Sequence, residues 1–232
     1  MTTLAITTTR HWLLVQAFAL LGRLASFVAP DRRGNTRWAL AYHSSARNCV
    51  LVLDASGSML CEDWTPSRMG AAKEAAQSFC DRLRTEQPDA RIAILAFGNG
   101  CKIYCNLTRA SEIAKLSEAI GRIDCLGLTN MRSGLGVARR ILQRCDKTEC
   151  QVVLLTDGHN TGACPRKFAA QLRKFAVVEC VGIGGSPVDV DEFLLKQISS
   201  AYPDGSKRYR WIGDKEKLVE HFHNLAGGIS RS

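Results

Sequence analysis

Cys49-Val50-Leu51-Val52-Leu53-Asp54-Ala55-Ser56-Gly57-Ser58 is the stretch that decides the fold. An unbroken apolar run ends on a carboxylate and gives way at once to small polar residues. Such a run reads as a strand buried on both faces, because a strand with one wet face would alternate apolar and polar residues. In open α/β sheets, ligands bind beyond the carboxyl ends of such strands.

The same pattern recurs downstream. RIAILAFG (Arg91–Gly98), QVVLLTD (Gln151–Asp157) and AVVECVGIG (Ala176–Gly184) are further buried strands, and RYRWIG (Arg208–Gly213) is a sixth strand. CKIYCNLT (Cys101–Thr108) is shorter and alternating, and follows a tight Gly98-Asn99-Gly100 turn. It reads as an antiparallel edge strand. A helix opens at Thr65-Pro66-Ser67, with Thr65 as its cap and Pro66 in the first helical position. Its apolar stripe is Ala71, Ala72, Ala75, Ala76, Phe79 and Leu83. Further helices are expected near 111–122, 130–145, 165–174, 191–199 and 215–225. Strands alternating with helices give an α/β class: a doubly wound, mostly parallel, Rossmann-like sheet of about six strands, helices on both faces and one antiparallel edge strand.

The 232 residues suit one domain plus an extension, with 46% hydrophobic and 23% charged residues, and need no staples to bury a core. The expected division is an extension over residues 1–45 and a domain over 46–232. Net charge is +9, but residues 1–47 hold six arginines and one aspartate, so the folded part is only mildly basic. That distribution argues against nucleic acid as the main partner. Residues 12–21, WLLVQAFALL, resemble a short signal-peptide core, about half the length of a membrane span. Arg23 and Pro30 spoil the cleavage region. A weak signal peptide, a packed amphipathic helix and a stretch of little structural role all remain open, and no transmembrane segment is identified. A cytoplasmic location is the default, with secretion if residues 1–29 are a leader. Ten cysteines invite a disulfide reading, yet Cys49, Cys80 and Cys180 sit in apolar runs and suit buried thiols. Cys101 and Cys105, four apart on one strand, should share a face.

Three polar loops converge on one rim of this sheet. They are Asp54-Ala55-Ser56-Gly57-Ser58, Leu128-Thr129-Asn130 before a helix, and Thr156-Asp157-Gly158 after the central strand. Asp54, Ser56, Ser58, Thr129 and Asp157 form a set of two carboxylates and three hydroxyls. Hard oxygen donors of this kind suit Mg2+, with Mn2+ or Ca2+ as competitors. Gly57, Gly127 and Gly158 fit tight backbone approaches.

The D-x-S-x-S loop, the threonine of G-x-T-N and the aspartate of T-D-G resemble the complete metal-ion-dependent adhesion site (MIDAS) of von Willebrand factor A (VWA) domains. The resemblance covers residues 48 to about 228. It implies a metal-dependent protein-interaction module in which a partner's carboxylate completes the coordination. It also implies that movement of the last helix, Lys215–Leu225, can couple to that exchange. Intracellular members often serve ring ATPases of the MoxR or chelatase type as accessory subunits. Extracellular members bind matrix or surface ligands. The alternative is a nucleic-acid-associated scaffold that uses the basic N-terminal segment.

No enzyme is expected. Ser56 and Ser58 lack the G-x-S-x-G elbow of serine hydrolases, and no phosphate-binding loop is present. His159 has no nucleophile beside it and reads as a loop residue that tunes the rim. Gly182-Ile183-Gly184-Gly185 reads as a turn. Asn106-Leu107-Thr108 is a glycosylation sequon only in a secreted chain. Cys61-Glu62-Asp63-Trp64 is either an acidic, aromatic contact rim or a helix-entry loop with a buried indole.

Overall fold

The computed structural model describes residues 47–145 and 149–227. The expected leader and basic linker lie outside the described residues. Six strands form one sheet in the order β3-β2-β1-β4-β5-β6. They are β1 (Asn48–Asp54), β2 (Arg91–Phe97), β3 (Cys101–Arg109), β4 (Cys150–Thr156), β5 (Ala176–Ile183) and β6 (Tyr209–Ile212). All pairings are parallel except β2 with β3, so the edge strand β3 is the antiparallel one and β6, at the other edge, is parallel. The strand order reverses between β1 and β4, and both strands end there on polar loops.

Helices cover both faces. One face carries α1 (Arg68–Glu86), α2 (Ile113–Gly121) and α6 (Lys215–Ala226). The other carries α3 (Met131–Leu142), α4 (Arg166–Leu172) and α5 (Glu192–Ile198). β1 shows the logic of a two-faced core. Leu51 and Leu53 enter the first layer, while Val50 and Val52 enter the second. The expected stripe of α1 is buried, and Phe79 meets Phe222 of α6 edge to face at 6.4 Å. At Gly134 on α3, an added Cβ would lie 2.6 Å from Val52, so that glycine sets how closely the helix meets the sheet. Among the described residues, no helix is long and apolar enough to cross a membrane.

Three local expectations need correction. The cap of α1 is Ser67, not Thr65: Ser67 is extended and its hydroxyl accepts the Gly70 N–H at 3.1 Å, which leaves Thr65-Pro66 ahead of the helix. Ser67→Ala is expected to lower stability by about 1 kcal/mol, measured by urea unfolding. Second, β3 does not alternate cleanly. Ile94 opposes Cys105 while Leu95 opposes Ile103, so β3 carries an extra residue there. The bulge reverses the side-chain parity. Cys105 therefore packs on the first layer and Cys101 on the second, and the two thiols do not share a face. Third, an added Cβ at Gly57 would meet nothing, and at Gly158 only ordinary contacts, so neither glycine is required by a close approach. Cys49, Cys80 and Cys180 are buried among apolar residues, and burial raises the pKa of each thiol.

Candidate functional site

The three polar loops meet at the β1/β4 switch point. Asp54 is the last residue of β1 and is wholly buried. After it the chain turns back: the Ser56 N–H donates to Asp54 Oδ1 at 2.8 Å, and a short 3-10 turn (Gly57–Leu60) exposes Ser58. Ser56 itself is buried and bridges Gly127 in the second loop. Gly57 N–H donates to Gly127 O at 2.9 Å, and Leu126 N–H to Ala55 O at 2.6 Å. Gly127 has φ +94°, which a side chain would strain. Of the three glycines singled out by sequence, this is the one whose backbone demands it.

Thr129 follows, buried, just before Asn130 caps α3 by accepting from Ser133 N–H. Its backbone is tied to the third loop. Thr129 N–H donates to Thr161 Oγ1 at 3.1 Å, and Thr161 N–H to Thr129 O at 2.9 Å. A Cβ placed on Gly158 would lie 3.7 Å from Thr129 Oγ1 and 3.9 Å from Ser58 Oγ, so all three loops border one small space. Asp157 supplies its remaining carboxylate.

Hydrogen bonds join four of the five residues in one chain, from Asp54 through Ser56 and Ser58 to Asp157. Ser58 Oγ donates to Asp157 Oδ1 at 2.7 Å and lies 3.1 Å from Ser56 Oγ. Asp54 Oδ2 accepts from Thr156 Oγ1 at 2.5 Å. Burial pushes the Asp54 carboxyl up to about 6, against the pull of its hydrogen bonds from Thr156 and Ser56. No cationic side chain pairs with Asp54 among the described residues. Asp157 differs: Arg68 Nη1 lies 3.0 Å from its Oδ2. The same guanidinium grips Asp63 at 2.7 Å, and that pairing holds the Asp63 carboxyl below the usual range.

Thr156 and Arg68 are thus site residues that sequence reading missed. Thr156 stands in the third polar loop, T-D-G, but is not among the five residues read from the sequence. Arg68 gave no signal, because its contact with Asp157 spans 89 positions. The 61–64 segment resolves toward its second reading: Trp64 is buried in the first core layer, and Asp63 faces Arg68. His159 is exposed, with Nε2 3.4 Å from Val188 O. Gly182–Gly185 is a strand end and turn, with Gly184 at φ +154°.

Residues 49–159 match the family model of the von Willebrand factor type A domain. Those residues carry the VWA sequence pattern, and the fold built around them is similar to VWA domains. Its α/β sheet is the VWA fold: a von Willebrand factor type A structure from Catenulispora acidiphila aligns with a TM-score of 0.66 at 27% identity, over 78% of this chain and 42% of that one. Proximal thread matrix protein 1 of the mussel byssus, in a form with a zinc-occupied MIDAS motif, aligns at 24% identity and a TM-score of 0.65, over 78% of this chain and 46% of that one. A UPF0353 protein of Mycobacterium sp. (strain KMS) is 27% identical over 120 residues, 48% of this chain and 34% of the relative. The chain thus spans about a third of the length of that curated relative. VWA domains are generally protein-interaction modules and not enzymes.

Proposed function

We propose that this VWA domain is a metal-ion-dependent binding module, with Asp54, Ser56, Ser58, Thr129 and Asp157 holding a divalent cation whose open position takes a carboxylate of a partner protein. One observation carries the reading: Asp54 is fully buried, has no cationic partner among the described residues, and lies where two serines and a second carboxylate converge. A desolvated carboxylate without a counter-charge is costly, and a bound cation removes that cost. The donors are oxygens only, which favours Mg2+, with Mn2+ and Ca2+ as competitors. With two formal negative charges from the ligands, the cation is not over-neutralised and keeps attraction for an incoming anion.

Isothermal titration of MgCl2 into the chelator-treated full chain tests the reading. Saturable 1:1 binding that disappears in Asp157→Ala supports it. Binding retained in that variant removes it. Arg68 sharpens the test. Its guanidinium competes for a lone pair of Asp157 and adds positive charge beside the cation. Arg68→Gln is therefore expected to tighten magnesium binding severalfold, read in the same titration.

The nucleic-acid alternative rests on the basic N-terminal segment, which lies outside the described residues. Binding to duplex DNA that is steeply salt-dependent and indifferent to chelator would favour it.

A further inference from the structure

A second concave feature lies toward the amino halves of β4, β5 and β6, away from the candidate metal loops. It is a cavity of about 400 Å³ between the sheet edge, α6 and the loop entering β6. Its walls include Lys207, Arg208 and Arg210, opposed by a single carboxylate, Glu179. That carboxylate is already committed, because Arg208 Nη1 meets Glu179 Oε1 at 2.5 Å with both side chains buried. Arg208 is further fixed by stacking over Tyr202, 4.0 Å from the ring centroid. Arg47, which reaches the neighbouring Gln151, is also spoken for. It donates to Ala226 O at 2.7 Å and Leu225 O at 2.9 Å, at the negative end of α6.

Lys207 and Arg210 are left. Both are exposed at the cavity mouth, and neither has a carboxylate partner among the described residues. Between them and α6 stand His221 and Asn224, which add polar ring and amide groups to the wall. A concave site with two uncommitted cations, a fixed buried ion pair as floor and polar side walls is complementary to a compact polyanion.

We propose that this cavity binds a small phosphate-bearing anion, with Lys207 and Arg210 as its charge-pairing contacts. The volume exceeds that of one phosphate group, so an anion with two linked phosphoryl groups fills it better than inorganic phosphate. His221 reports on occupancy. Burial, helped by nearby Arg210, holds its pKa down at about 4, so its neutral ring responds to an anion placed beside it.

The test is titration of inorganic pyrophosphate into the full chain in excess EDTA, followed by calorimetry and by the His221 ring signals in NMR. Chelator removes any contribution from a cation at the rim. The expected result is saturable 1:1 binding, tighter than for inorganic phosphate or sulfate, with movement of the His221 signals. Lys207→Gln and Arg210→Gln should each weaken it about tenfold. Lys102→Gln, which removes a charge on the far edge strand, should leave it unchanged. These variants spare the buried Glu179–Arg208 pair, so the fold is kept. Non-saturable binding, or equal weakening in Lys102→Gln, would mean diffuse attraction to a basic protein and would overturn the proposal. Binding that leaves His221 unmoved would place the anion elsewhere and do the same.

Discussion

In excess chelator at pH 7.5, Asp54→Asn is expected to be more stable than the wild type by about 3 kcal/mol, and to gain nothing from added magnesium. The reason begins with burial. The Asp54 carboxyl has an ordinary value of 3.8 and is pushed up to about 6 in the folded chain. The folded state therefore holds this proton more tightly than the unfolded state does. The associated stability is complete below pH 3.8 and is lost as pH rises through about 6. A rise from 3.8 to about 6 corresponds to about 3 kcal/mol. Asparagine carries no charge at any pH, so the variant avoids that loss while still accepting from Ser56 N–H. The wild type, in contrast, gains about 2.7 kcal/mol when magnesium is present at 100 times its dissociation constant. Urea midpoints of both proteins, with EDTA and with magnesium, read the effect. A variant that gains as much as the wild type would place the cation away from Asp54.

Glu179→Ala should lower stability by about 3–5 kcal/mol, the largest loss expected from a single substitution outside the apolar core. Glu179 lies inside β5 and is the carboxylate that Arg208 reaches from the residue before β6. Burial raises the Glu179 pKa, and the Arg208 and Arg47 charges oppose that rise. Removing the carboxylate leaves Arg208 desolvated without a counter-charge. Replacing both members, as Glu179→Met with Arg208→Met, should recover most of the loss, because the unpaired charge disappears along with the pair. Chemical denaturation of the two single variants and the double variant measures the coupling. Additive losses would show that the two side chains act independently.

Which features were legible in the sequence follows from how local their causes are. Continuous apolar runs such as CVLVLD need both faces covered, so the doubly wound sheet could be read directly. The antiparallel edge strand was announced by a two-strand turn at Gly98-Asn99-Gly100, which closes with Gly98 N–H on Gly100 O at 2.8 Å. The three polar loops were visible because each sits at a strand end or helix start, positions that topology brings together. Other features depend on side chains meeting across the fold. Arg68 reaches Asp157, Arg47 reaches the end of α6, and Arg208 reaches Glu179, and no spacing rule encodes such pairs. The bulge in β3 was hidden for a different reason. One extra residue changes the parity of a strand without leaving a compositional mark, so Cys101 and Cys105 were assigned to one face when they occupy two. The cap of α1 was misplaced because threonine, proline and serine are all acceptable at a helix start, and only the backbone conformation at Ser67 decides among them.

Paramagnetic broadening locates the ion. Manganese added substoichiometrically to the 15N-labelled 232-residue chain broadens the amide signals nearest to it. Ser56, Ser58, Thr129 and Gly158 are expected to broaden first, and Asp54→Asn to abolish the pattern. Broadening centred on another acidic surface, such as Asp81 and Glu86 of α1, with the three loops unaffected, would contradict the proposed metal site.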